Sequence, residues 1–194
     1  MSGQSVRGFV AVLLPDDVRA RLAAAAAELR ARAPGLAWVR AENLHVTLRF
    51  LGEVEPVTLE RVREAMAVAA ASVPPFTVAF GGLGGFPPRR APRVVWAGAT
   101  GDLGKLAGLA AAIERAAEQI GVPRELRPFV AHVTLGRIRS LGNLKRFQAL
   151  LDPQRQVPLG EDRVERFVLY RSTLTSDGPV YEERAAFPLC PSGI

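Results

Sequence analysis

One tetrapeptide occurs twice in this chain. His45-Val46-Thr47-Leu48 and His132-Val133-Thr134-Leu135 both read HVTL, and the two histidines that open them are the only histidines present. At average residue usage, a second histidine would carry the same three followers on the order of one time in a few thousand. The copies lie a little under half of the 194 residues apart. That spacing calls for two lobes, each supplying one His-x-Thr to a shared place.

The tetrapeptide has a direct physical reading. Val, Thr and Leu around a His, running on into Arg49-Phe50-Leu51-Gly52 in the first copy, describe a strand ended by a glycine turn. Side chains alternate along a strand, so His45 and Thr47 share one face while Val46 and Leu48 take the other. His132 and Thr134 relate to Val133 and Leu135 in the same way. Each strand thus buries an apolar pair in its lobe and offers an imidazole beside a hydroxyl to the opposite face. Two imidazoles can act as general acid and general base near neutral pH. Two hydroxyls, with backbone amides, can hold phosphate oxygens. Together these groups suit the opening of a phosphodiester by water.

Composition narrows the partners. Twenty-five Lys+Arg against 19 Asp+Glu give a formal charge of +6 and a pI of about 10.6, which favours phosphate-bearing partners and speeds their encounter. The length suits one domain, 1–194, built of two lobes. The lone cysteine, Cys190, excludes an intrachain disulfide and a cysteine metal cluster. A catalytic zinc commonly takes three protein ligands, so with two histidines and one near-terminal cysteine no metal and no cofactor is expected. The apolar run at 9–14 is too short to cross a membrane and is followed by Pro15-Asp16-Asp17 rather than a cleavage site. The expectation is a cytoplasmic monomer without membrane partners.

Along the chain, strands are expected at 7–14, 36–39, in both HVTL segments, and at 76–80, 93–99, 163–174 and 181–189. Helices are expected at 15–32, stopped by Pro34-Gly35, and at 58–71, 102–120 and 144–151. Gly81-Gly82-Leu83-Gly84-Gly85 reads as a turn with a basic tip at Arg89-Arg90; it lacks the Lys-Ser/Thr of a phosphate-binding loop. Ser176-Asp177-Gly178-Pro179 is a turn between the last two strands. Several strands follow one another directly, which favours an α+β fold with antiparallel pairs over a parallel doubly wound sheet.

At this point the residues resemble a family. Two His-x-Thr-x boxes in a chain of this size are similar to the 2H phosphoesterase superfamily. Asn43-Leu44 ahead of the first box, with Arg49-Phe50-Leu51-Gly52 after it, resembles the RNA 2',3'-cyclic phosphodiesterases, also called 2'-5' RNA ligases. So do Gly85-Phe86-Pro87, Pro92-Arg93-Val94-Val95-Trp96-Ala97-Gly98, Arg127-Pro128-Phe129, Leu169-Tyr170-Arg171-Ser172 and Gly178-Pro179-Val180-Tyr181.

The resemblance implies a bilobal α+β fold: two pseudo-twofold-related lobes of mainly antiparallel sheet, helices packed outside, and a central cleft holding both boxes. It implies hydrolysis of a 2',3'-cyclic phosphate on RNA or on a nucleotide to a 2'-phosphate, with 2'-5' ligation as the reverse reaction. His45 would give a proton to the leaving 3'-oxygen and His132 would take one from water. Thr47, Thr134 and Arg137 would bind the phosphate. Two departures stand out. Ala131 occupies a position where the family often has proline. Strict alternation puts Arg137 on the face opposite His132, so its role requires a bulge, placed at Gly136. Two competing readings stay open: a basic module that grips RNA ends without chemistry, and a phosphodiesterase for ADP-ribose cyclic phosphate.

Overall fold

A computed structural model describes residues 5–32, 36–87, 92–138, 151, 157–176 and 178–190. The Pro34-Gly35 stop, the Arg89-Arg90 tip, nearly all of the expected 144–151 helix and Asp177 of the last turn lie outside these residues. Among them the elements run β1 (Val6–Leu13), α1 (Asp16–Arg32), β2 (Leu36–Trp38), a 3-10 turn (Ala41–Asn43), β3 (His45–Val54), α2 (Pro56–Ala71), β4 (Phe76–Phe86), β5 (Val94–Gly101), α3 (Leu103–Gln119), β6 (His132–Ile138), β7 (Gly160–Val164), β8 (Arg166–Thr175) and β9 (Gly178–Pro188).

All registered strand pairs are antiparallel, and they form one sheet in the order β7-β4-β5-β6-β3-β1-β8-β9, with β2 added beside β6. The two box strands, β3 and β6, are neighbours at its centre. Their register places Val46 directly opposite Val133, the same position in each box. A pseudo-twofold therefore passes through that pair and relates β3 to β6, β1 to β5, and β8 to β4. Lobe 1 contains β3, β1, β8 and β9; lobe 2 contains β6, β5, β4, β7 and β2. The expected two-lobed α+β fold is thus observed. It carries one feature that the repeat did not disclose: β4 follows the first box but joins lobe 2, and β8 follows the second but joins lobe 1.

The sequence explains the layering. On β1, Val6, Val10 and Val12 belong to the main core, whereas Phe9 and Ala11 belong to a second, smaller cluster on the other face. The main core is closed by Val18, Leu22 and Leu29 of α1, Leu59, Val62 and Met66 of α2, and Leu106, Leu109 and Ile113 of α3. Spacings of three, four and seven residues put each set on one helical face. Asp16 and Asp17 occupy the first turn of α1, where their charge complements the helix dipole. The helices cover one side of the sheet. The other side is concave and belongs to the cleft.

The glycine-rich stretch is not a turn. It is the second half of β4, which runs on to Phe86. Gly82, at φ 67°, is the extra residue of a bulge between Gly81 and Leu83, a conformation that glycine adopts without strain. Gly84 lies under the Trp96 indole, and a Cβ there would overlap the ring. The glycines make a flat bed for an aromatic side chain, and composition alone does not distinguish that from a flexible turn. The expected 163–174 strand is two strands, β7 and β8, broken at Glu165.

Candidate active site

Each box opens its strand in the same way. His45 Nδ1 lies 2.8 Å from the Asn43 carbonyl oxygen, and His132 Nδ1 lies 2.7 Å from that of Val130. A carbonyl oxygen can only accept, so Nδ1 carries the hydrogen in both rings and Nε2 is left for chemistry. For His45 that nitrogen is 2.9 Å from Thr47 Oγ1, where the neutral ring accepts from the hydroxyl. The 3-10 turn sets the Asn43 carbonyl in place. The Asn43 side chain donates to the Pro179 carbonyl oxygen at 2.9 Å and so fastens the β8–β9 hairpin beside the first box.

The two boxes converge. Around the Val46–Val133 pair, the antiparallel direction brings His45 to the side of Thr134 and Thr47 to the side of His132. All four are half-buried, while Val46, Leu48, Val133 and Leu135 are buried, as alternation requires.

Aromatic rings flank both imidazoles. Phe9 stacks on His45 at 4.9 Å, and Tyr181 meets it edge-on at 5.5 Å. In lobe 2, Phe86 and Trp96 meet His132 at 5.1 and 6.4 Å. Burial lowers the pKa of His45 to about 4, against the Asn43 carbonyl, which raises it; the neighbouring His132 lowers it further. His132 is also lowered, first by burial and then by the Arg137 charge, with the Val130 carbonyl opposing. Both rings are therefore neutral at pH 7 in the open cleft. An anionic phosphate between them would favour the imidazolium.

Arg137 is brought to the cleft face by a bulge. Thr134 pairs with Trp96 and Gly136 with Val95, so Leu135 is the extra residue and alternation is reset after it. The expected device exists, one residue earlier than Gly136. Arg137 is exposed, and its charge is felt at both His132 and Tyr181. The first box carries the same bulge at Leu48, since Thr47 pairs with Ala11 and Arg49 with Val10. There it turns Arg49 toward the helices, with Phe50 taking the position equivalent to Arg137. Arg49 is 6% exposed. It makes a 2.6 Å ion pair with Glu114 of α3 and donates to the carbonyl oxygens of Phe50 and Pro123. Glu114 also accepts the Glu125 backbone N–H at 3.0 Å, which fixes the loop leading to the second box.

The five residues expected at the site thus occupy one face of adjoining strands. The aromatic wall and the bracing role of Arg49 were not anticipated. Phe9 sits in an unbroken apolar strand, Arg7 to Leu14, where nothing marks it as facing a cleft. Tyr181, Phe86 and Trp96 entered only through the family resemblance. Among the described residues, no group of three or more His, Cys, Asp or Glu side chains could hold a metal ion, and no helix is long and apolar enough to cross a membrane.

Comparison with known proteins gives concordant results. Residues 12–96 and 102–181 match the family described as LigT-like phosphoesterase. An Archaeoglobus fulgidus protein named RNA 2',3'-cyclic phosphodiesterase is 35% identical over 185 residues, covering 94% of this chain and 99% of its own. A crystal structure of a Thermus thermophilus protein superposes with a TM-score of 0.80 at 31% identity, covering 96% of this chain and all of that one. Escherichia coli LigT complexed with 3'-AMP superposes with a TM-score of 0.73 at 28% identity, covering 96% and 99% of the two chains.

Proposed function

The chain belongs to the LigT-like phosphoesterase family, and from that premise we propose a cyclic phosphodiesterase that opens RNA or nucleotide 2',3'-cyclic phosphates by two-histidine general acid–base catalysis. The observation that carries this reading is the paired imidazole geometry. The two imidazoles open adjacent central strands and each Nδ1–H is pinned by the carbonyl two residues before it, so Nε2 is the proton-transfer atom in both rings, with that of His45 accepting from Thr47.

In the proposed step, His132 Nε2 takes a proton from water as the oxygen attacks phosphorus. The P–O3' bond breaks and its electron pair stays on O3', which receives the proton from His45. The product carries a 2'-phosphate and a 3'-hydroxyl. Thr47, Thr134 and Arg137 hold the non-bridging oxygens, where hydrogen bonds that strengthen as charge builds favour the transition state. When a 5'-hydroxyl replaces water, the same groups form a 2'-5' linkage. The acid role of His45 comes from the family resemblance. The deeper pKa depression of His45 in the open cleft would by itself give that role to His132. The oxygen that leaves decides between them.

The test is incubation with a nucleoside 2',3'-cyclic phosphate in EDTA, followed by phosphorus NMR. A 2'-phosphate product is expected. Absence of turnover would overturn the proposal and favour a binding module. A 3'-phosphate would reverse the placement of the substrate between the two histidines.

A further inference from the structure

The two lobes present different chemistry to the cleft, although their boxes match. On lobe 2 the residue two positions past the bulge is Arg137; on lobe 1 its equivalent is Phe50. Phe50 belongs to an aromatic floor with Phe9, Tyr170 and Tyr181: the Phe9 ring lies 5.9 Å from Phe50, 5.2 Å from Tyr170 and 4.8 Å from Tyr181. Phe50 and Tyr181 are half-buried, so each keeps part of a ring open to the concave side.

A cation ends this floor. A Cβ on Gly8 would meet Leu51 and Leu59 at 3.0 and 3.1 Å, so Gly8 faces the helices. Its neighbours Arg7 and Phe9 therefore face the concave side. The register sets Arg7 opposite Ser172, and Ser172 opposite Tyr181, so Arg7 and Tyr181 share one row across the sheet. The Tyr181 phenol is raised by burial and drawn back by the charges of Arg137 and Arg7, which agrees with both arginines facing it. Glu53, the cross-strand neighbour of Arg7, accepts from the Ser5 hydroxyl at 3.5 Å; among the described residues it makes no ion pair with Arg7. Glu183, opposite Tyr170, borders the floor on its outer side.

We propose that the concave face of lobe 1 binds the nucleotides that precede the reacting one, with bases against Phe50 and Tyr181 and a backbone phosphate on Arg7. This rests on the cyclic phosphodiesterase reading. A 2',3'-cyclic phosphate ends its chain, so every further nucleotide must leave the cleft in one direction. Along β1, Arg7 lies two residues before Phe9, which stacks on His45, and it shares a row with Tyr181, which meets His45 edge-on at 5.5 Å. In the proposed function Thr47, Thr134 and Arg137 take the reacting phosphate, which leaves Arg7 for the phosphate of the nucleotide next upstream. Stacking surfaces interleaved with a cation are the usual means of holding a single strand without reading its sequence.

The experiment compares Arg7→Gln with wild type on two substrates, a mononucleoside 2',3'-cyclic phosphate and an RNA tetranucleotide bearing the same end. It also measures Kd for a fluorescein-labelled tetranucleotide 2'-phosphate across a salt series. The kcat/KM preference for the tetranucleotide should fall about three- to tenfold in Arg7→Gln, and the salt slope of its Kd should drop by about one. Phe50→Leu should weaken tetranucleotide binding without changing that slope. An unchanged preference and slope in Arg7→Gln would overturn the subsite. The parent reading fails separately, if wild type turns over neither substrate, and in that case the Kd series still decides whether Arg7 holds a phosphate.

Discussion

Acidification should destabilise this protein through His45 in particular. A folded-state pKa of about 4 against an ordinary imidazole near 6.5 means that the unfolded chain binds the proton more readily. The sign follows from linkage: stability rises with pH wherever the unfolded state holds more protons. The contribution of His45 is fully present above pH 6.5, falls as pH drops toward 4, and is constant below. At 1.36 kcal/mol per pH unit the whole swing is about 3 kcal/mol. Urea unfolding of wild type and His45→Gln at pH 7.5 and 4.5 isolates it, because the carboxylates and His132 titrate in both proteins. Wild type should lose about 2–3 kcal/mol more than the variant between the two pH values. Proton NMR supplies a direct check, since only two histidine C2–H signals exist. Both midpoints should lie below 6.5, one of them near 4, and both should rise when phosphate is added. Equal losses in the two proteins, or a pair of midpoints at 6.5, would refute the argument from burial.

His45→Ala and His132→Ala should each lower kcat by about 10²–10⁴ in steady-state assays, and the double variant should lose less than the product of the two. Arg49→Met leaves Glu114 in place without its cation, so thermal unfolding should report a loss of about 3–5 kcal/mol, equivalent to a Tm lower by roughly 10 °C. Gly84→Ala forces the Trp96 ring off its bed; calorimetry should show a cost of about 1–3 kcal/mol, and turnover should fall because Trp96 supports His132.

The lobes, the box strands and the inward face of the imidazoles were readable because they depend on local period and on an exact repeat. The helix expected at 15–32 was readable from Pro15, the paired aspartates of its first turn and its alanine-rich body. What escaped reading depends on neighbours that are distant in sequence. A bulge changes the face of every residue after it, and nothing in HVTL shows that Leu48 and Leu135 are each the extra residue. Arg49 and Arg137 therefore look alternately inward or outward until the register is known. The stretch from Gly81 to Gly85 has turn composition, yet it forms strand because Trp96, on the neighbouring strand, needs the space above Gly84.

The exchange of β4 and β8 between lobes bears on how the chain is made. A nascent chain that has just completed β4 holds a strand whose registered neighbours, β5 and β7, are not yet synthesised. β1 pairs with β3 at that stage, but its other edge stays open until β8, which begins at Arg166, is made. Neither lobe can close on the ribosome from its own half of the sequence. The open edge of β1 invites pairing with another copy during that interval, and separate expression of the two halves should give aggregates that recover the native sheet only when mixed from denaturant.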